Sequence, residues 1–164
     1  GWNNTFNYKN FDFSFFVVGF HGFDIYNATH QMGYNLIKSQ QVAGVTPMRE
    51  LLNRWTPTNT NTNIPGFVNG GTENKDFFST RFVENGSFIK MKSITLGYTL
   101  PETACRALGI TNLRVYASVQ NPFHITNYSG LDPEATMGSP LVQGVDWGSY
   151  PNSRNYLIGL NFSF

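Results

Sequence analysis

The stretch from Arg154 to Phe164 reads RNYLIGLNFSF. Along an extended strand, successive side chains point to opposite faces. Tyr156, Ile158, Leu160, Phe162 and Phe164 therefore share one face, and Asn155, Leu157, Gly159, Asn161 and Ser163 share the other. The alternation predicts a strand with an apolar face kept up to the last residue. Chain ends are as a rule polar and loosely held, so this face raises the question of its solvent. The core of a water-soluble sheet and the lipid around a membrane barrel are the two answers. The rest of the chain has to choose between them.

Four further segments carry the same period of two. Trp2, Phe6 and Tyr8 oppose Asn3, Thr5, Asn7 and Lys9, with Asn4 breaking the apolar side, and Lys9-Asn10 reads as a tight turn. Phe11, Phe13, Phe15 and Val17 continue the face of Tyr8. The opposite face there is mixed, with Asp12 and Ser14 but also Phe16, Val18 and Phe20. In SFIKMKSITLGYTL, Ile94, Leu96, Tyr98 and Leu100 oppose Ser93, Thr95, Gly97 and Thr99, and Pro101 ends the run. Leu113, Val115, Ala117 and Val119 oppose Arg114, Tyr116, Ser118 and Gln120. Each segment is close to the roughly 9 to 11 residues that a tilted strand needs to cross a bilayer.

The connections decide more than the strands. Lys9-Asn10 is a short turn, and Pro101–Thr111 is short enough to hold one small helix closed by Gly109. His21–Gly86 and Asn121–Ser153 are very long. Long connections without structure of their own count against a compact soluble domain. Here short and long alternate strictly, and a meander puts alternate connections at opposite ends of the sheet. Short turns at one end and long loops at the other are the pattern of an outer-membrane barrel. The expectation is an all-β, antiparallel transmembrane β-barrel segment of about five strands with long extracellular loops.

Composition agrees. Of 164 residues only 13% are charged while 16% are aromatic, 15 of them Phe, which suits alternating strands better than a helical bundle. Mean hydropathy is nevertheless −0.27, because small polar residues fill the remaining positions. A net charge of +1 without a basic cluster argues against nucleic acid as a partner. The single cysteine, Cys105, excludes an internal disulfide and any CxxC motif, and reads as a packed small residue. No apolar run is long enough for a transmembrane helix. Starting within a strand and without a leader, the chain reads as a piece of something longer.

No catalytic arrangement emerges. His21, His30 and His124 lack metal-ligand spacing, so no metal or cofactor is expected. Asp132 and Glu134, in LDPE, read as a solvated turn around Pro133, and Gly66 and Gly70-Gly71 lack the Lys-Ser/Thr of a phosphate cradle. TPMRELLNRW reads as a short loop helix capped by Thr46 with Pro47 in its first position, and TPTNTNTN as polar loop. The aromatic stripes on the strands read as lipid-facing or interfacial. Loop aromatics are the better functional candidates: Trp55, Phe67, Phe123, Tyr128, Trp147 and Tyr150. Such rings stack on sugars or fill peptide side-chain pockets, and they also hold loops together.

RFVENGSFIKMKSITLGYTLP (Arg81–Pro101) and LRVYASVQNPFHITNYSGLDPE (Leu113–Glu134) resemble the C-terminal barrel region of the SusC/RagA family of TonB-linked outer-membrane proteins. NRWTPTNTNTNIP and YPNSRNYLIGLNFSF fit the same family in order. The resemblance implies a plugged barrel of about 22 strands, of which residues 1–164 are the C-terminal part, with the plug and earlier strands elsewhere. It further implies a bacterial outer-membrane location and uptake of oligosaccharides or peptides. The implied partners are a SusD-like surface lipoprotein, the TonB complex acting through the plug, the rest of the barrel and the barrel-assembly machinery. Phe164, with Phe162 and Leu160, belongs by resemblance to the assembly signal. A siderophore-type receptor or porin is the near alternative, and a secreted all-β adhesin or glycan-binding module the distant one.

Overall fold

The computed structural model describes residues 1–34, 47–66, 78–107, 109–134 and 143–164. In chain order the strands are β1 (Trp2–Tyr8), β2 (Phe11–Phe20), β3 (Asp24–Asn27), β4 (Val83–Asn85), β5 (Phe88–Thr99), β6 (Asn112–Thr126), β7 (Val145–Asp146) and β8 (Asn155–Ser163). The helices are α1 (Ala28–Tyr34) and α2 (Glu102–Ala107). Two compact units result. The first joins Gly1–Phe23, Gly86–Asn127 and Pro151–Phe164, and the second joins Asp24–Asn85 and Tyr128–Tyr150.

The first unit is a five-stranded sheet in the order β1-β2-β5-β6-β8, antiparallel throughout. Its register adds the strand alternations in phase. One lateral row runs Phe6, Phe13, Leu96, Ala117 and Ile158, and the next runs Tyr8, Phe11, Tyr98, Val115 and Leu160. These side chains are not covered: Phe6, Leu96, Leu160 and Phe162 are half exposed or more, and Ile158 is 85% exposed. Water-soluble monomers rarely leave such a contiguous row of large apolar side chains uncovered. The rings on it meet one another, Trp2 edge-on to Phe15 at 5.3 Å and Phe11 beside Tyr98 at 4.7 Å.

The opposite face is polar. Its rows run Asn7, Asp12, Gly97, Tyr116 and Gly159, then Thr5, Ser14, Thr95, Ser118 and Leu157. Arg114 Nε donates to Asp12 Oδ1 at 2.8 Å, so this ion pair reaches from β6 to β2 across β5. The crossing passes over Gly97, where a Cβ would collide with both side chains. In the same way the ring of Tyr116 lies over Gly159 and stacks with the Arg114 guanidinium at 5.1 Å. Thr95 and Ser118 share a hydroxyl–hydroxyl bond of 2.8 Å. Of the apolar residues on the mixed face of β2, Phe20 packs on Phe88 with ring centroids 5.5 Å apart.

A bulge in β5 corrects an alternation that runs on too far. Counting back from Ile94, Lys92 and Lys90 belong on the apolar face. Phe16 pairs with Ser93 but Val17 pairs with Met91, so Lys92 is an extra residue. Beyond it the parity of β5 is reversed: Met91 and Ile89 take the apolar face, and Lys90 turns to the other, beside His124. The adjoining strand compensates with Asn121, at φ 50°, and Pro122, a position where a missing N–H costs no ladder bond. The fourth strand was expected to end at Gln120; it continues through this bulge to Thr126.

The sheet ends bear out the sorting of connections. Phe20, Phe88 and Thr126 are lateral partners, and the chain passes into and out of the long insertions at that end. The Lys9-Asn10 turn, Thr99, Asn112 and Ser163 lie at the other. In the short connection α2 closes as expected. Gly109, at φ 72°, donates to Arg106 O and Ile110 donates to Cys105 O, the paired bonds of a Schellman end. Cys105 is buried, with Sγ 3.7 Å from Leu100 O.

The long insertions are not structureless, and here the expectation is corrected. They form a second sheet in the order β4-β3-β7, antiparallel between β3 and β4 and parallel between β3 and β7. Ile25, Ala28, Leu51, Ile64 and Phe82 are buried there, an ordinary apolar core. The expected loop helix is instead a 3₁₀ turn, Arg49–Asn53, with Met48 as its uncapped first neighbour; Thr46 lies outside the described residues. The TPTNTNTN tract folds on itself. Thr56 and Asn59 exchange two backbone bonds, and Asn59 Nδ2 donates to Asn53 Oδ1 at 3.0 Å.

Lengthening β5 by one residue tests the bulge. An alanine inserted between Met91 and Lys92 turns Met91 to the polar face and Lys90 to the apolar one, which costs up to about 2–4 kcal/mol toward the bilayer midplane if that face meets lipid. The expected result is a strong drop in the fraction of full-length protein that reaches its folded, heat-modifiable form on a gel. Lys92→Ala, which keeps the extra residue, is expected to leave that fraction unchanged.

Candidate functional site in the long insertions

The site is built around the start of α1. Asn27 is the last residue of β3, and its Oδ1 accepts from the backbone N–H of His30 at 2.8 Å, satisfying one free donor of the first turn. Its amide Nδ2 then reaches Glu84 Oε1 at 3.0 Å and Ser129 Oγ at 3.2 Å. Glu84 also accepts from the Ser129 hydroxyl at 2.8 Å and from the Ser129 backbone N–H at 2.8 Å. One carboxylate thus gathers three donors from two remote segments. Burial pushes Glu84 up, but the bonds from Ser129 and Asn27, with His30 nearby, outweigh it and hold the carboxyl below its ordinary value of 4.5.

His30 stands between two carboxylates, with Nδ1 3.4 Å from Glu84 Oε1 and Nε2 3.7 Å from Glu50 Oε2. Its ring meets Tyr34 edge-on at 5.1 Å, and the Tyr34 hydroxyl donates to Glu50. Burial, then the bond to Glu50 and its negative charge, push Tyr34 up to about 12, with Arg81 opposing. Two cavities share the His30–Glu50–Ser129 wall. One of about 350 Å³ is also lined by Tyr34, Asn63, Arg81 and Glu84, and one of about 410 Å³ by Thr29, Met48, Leu131 and Ser149. Acceptors, donors and apolar surface lie together there, a lining suited to holding a polar organic ligand.

A second polar node fixes the segment from Val145 to Tyr150. Asp146 is buried; its Oδ1 accepts from the backbone of Gly148 at 2.9 Å and Ser149 at 3.1 Å, and its Oδ2 from the Tyr128 hydroxyl at 2.6 Å. Burial first, then this bond and the charge of Asp146, push the Tyr128 phenol far above its ordinary value. The tight Asp146 turn leaves Trp147 and Tyr150 outside, 61% and 88% exposed.

The loop aromatics therefore separate. Trp147, Tyr150 and Trp55 present exposed rings. Tyr128 does not: its ring is buried over Gly130 and its hydroxyl is committed to Asp146. Phe123 is not a loop residue, since it sits in β6 opposite Met91 on the apolar face. Phe67 lies outside the described residues. Phe164, Phe162 and Leu160 are exposed on and beyond β8. Asp132 makes the expected turn, accepting from the Glu134 N–H at 3.1 Å, but it and Pro133 are buried rather than solvated. His30 was weighed in the sequence only as a metal ligand and set aside, and Asn27, Glu50, Glu84, Ser129 and Asp146 were not singled out, since they show no periodicity. Among the described residues no three His, Cys, Asp or Glu side chains converge as metal ligands.

No family model matches the chain. It is 35% identical, over its whole length, to TonB-dependent receptor P3 of Formosa agariphila, and covers 16% of that protein. It is 32% identical to TonB-dependent receptor SusC of Bacteroides thetaiotaomicron, again over its whole length and 15% of that protein. Among solved structures, the RagAB peptide transporter matches 96% of the chain with a TM-score of 0.76 and 28% identity, the match covering 16% of that chain. The chain thus spans about a sixth of the length of the curated relatives it matches. In sequence and in fold it is a β-barrel segment of the kind found in TonB-dependent receptors. Within them it groups with the SusC/RagA type.

Acid tests the Glu84 node. Its carboxyl is held below the ordinary value, so its contribution is complete above pH 4.5 and is lost as the pH falls through the lowered value. Backbone amide exchange at Ser129, corrected for the intrinsic pH dependence, is expected to stay slow down to pH 5. It should quicken as the pH falls below 4.5, before the sheet strands β5 and β6 respond.

Proposed function

We propose that the chain supplies wall strands and ligand-facing loops to a TonB-dependent transporter of the bacterial outer membrane, which imports oligosaccharides or peptides. The observation that carries this reading is the two-faced sheet. Phe6, Leu96, Ile158 and Leu160 are exposed on one side, while Asp12, Arg114, Ser118 and Thr95 line the other. A secreted adhesin has no use for such an uncovered apolar face, whereas lipid requires it. β1 and β8 each have a strand partner on one side only among the described residues, and open edges do not persist in hydrocarbon. The remainder of the barrel is their partner.

Transport on this reading draws energy from the TonB complex through a plug outside this chain, and a SusD-like surface lipoprotein is the partner at the mouth. The names of the relatives support a TonB-dependent importer over a plain porin. The solved peptide transporter supports peptides as one substrate class. Trp147 and Tyr150 are the contacts assigned to substrate, because they offer ring faces to solvent around a turn fixed from beneath, and the exposed Trp55 is a third candidate.

Uptake by cells carrying the full-length receptor tests this. Labelled oligopeptide or oligosaccharide should accumulate only when TonB is present, and uptake that persists without TonB overturns the assignment. Replacing both Trp147 and Tyr150 by Ala is expected to weaken uptake affinity about tenfold with the surface amount of receptor unchanged.

The assembly role of the terminal aromatic is separable. Phe164→Asp should lower the amount of heat-modifiable receptor in the outer membrane several-fold. The affinity of the receptors that do assemble should match the parent.

A further inference from the structure

The two insertions do not behave as independent loops. Glu84 belongs to the first and Ser129 to the second, and the Ser129 hydroxyl and backbone N–H both donate to Glu84 at 2.8 Å. Asn27, again from the first, donates to both partners. Around this node the backbone repeats the link. Tyr26 and Asn27 pair in parallel with Val145 and Asp146, the Tyr26 N–H reaches Gly144 O at 2.7 Å, and the Thr29 hydroxyl reaches Asp146 O at 3.4 Å. The link is narrow: β7 has two residues and β4 three, too little ladder to hold the segments together unaided. A carboxylate with three donors is the strongest single element in it.

We propose that Glu84 is the joint that couples the insertions, so that ordering or loading one of them tightens the other. The exposed rings are divided between the two, Trp55 on the first and Trp147 and Tyr150 on the second. A ligand held by Trp147 therefore stiffens the Asp146 turn, the β3–β7 pairing and, through Asn27 and Glu84, the first insertion as well. Coupling of this kind needs a contiguous network with a measurable effect at both ends. The inference stands apart from which substrate is carried, since it is read on the free receptor.

Hydrogen exchange on the full-length receptor, without ligand, tests it with two variants on opposite sides of the joint. Glu84→Gln replaces an acceptor of three bonds by an amide that must turn a donor toward one of its former donors. Ser129→Ala removes one hydroxyl from the other insertion and disturbs little else. For each variant, exchange should rise at least about tenfold both at residues 25–30 and at residues 144–149, with β5 and β6 unchanged. A rise confined to the insertion carrying the substitution, or no rise in either, overturns the joint. A rise that spreads equally through β5 and β6 overturns it too, because Glu84 then serves the whole fold and not the link.

Discussion

The in-phase register of five antiparallel strands is the constraint on which the rest depends. Alternation along one strand divides its side chains between two faces. Only the pairing Phe13–Leu96–Ala117–Ile158, repeated row by row, turns five separate alternations into one apolar surface and one polar surface. A slip of a single residue between any two strands would carry Asp12 or Arg114 into a row of Phe and Leu. The register is protected by what each face needs. The apolar side accepts rings that touch one another, and the polar side accepts an ion pair only because Gly97 leaves room beneath it.

Where the strand period and the required faces disagree, the backbone yields rather than the side chains. A bulge takes Lys92 out of the alternation of β5 so that Lys90 turns to the polar face, and β6 answers with Asn121 and Pro122. Burying or lipid-exposing an unpaired ammonium costs more than losing one step of a ladder. Gly97 and Gly159 are the complementary device, positions where a missing side chain lets a neighbour from the next strand lie across the sheet.

The two units meet the same problem of apolar surface in opposite ways. The sheet leaves Ile158, Leu160 and Phe162 open, while the insertions bury Ile25, Ala28, Leu51 and Phe82 as any water-soluble domain does. The insertions also bury polar groups, Asn27 and Asp146 among them, and each is provided with partners. Among the described residues no buried side-chain N or O is left without a hydrogen bond. Chemistry in this chain is therefore concentrated where water-soluble physics applies, and the sheet serves as wall.

Periodicity made the wall legible. Phe11, Phe13 and Phe15, or Ile94, Leu96 and Tyr98, announce a strand and its apolar side without reference to anything else, and the spacing of the strands sorted the insertions to one end. The turn at Lys9-Asn10 and the helix closed by Gly109 were equally local. The short strands of the insertions left no such trace, because DIYN or VD is too brief for a period to appear. Phe123 was placed in a loop because the alternation was followed only to Gln120, and only the neighbouring strand shows that a bulge carries β6 past Pro122. The site was hidden for the same reason at longer range. Asn27, Glu84 and Ser129 are separated by 57 and 102 positions from Asn27 onward, and isolated polar residues carry no sign of their partners. By itself the sequence determined which residues of an unbroken strand share its apolar face, since alternation is a property of one strand. Which polar groups meet was decided by the tertiary structure alone, since a hydrogen bond across a hundred residues exists only once the strands between them are paired.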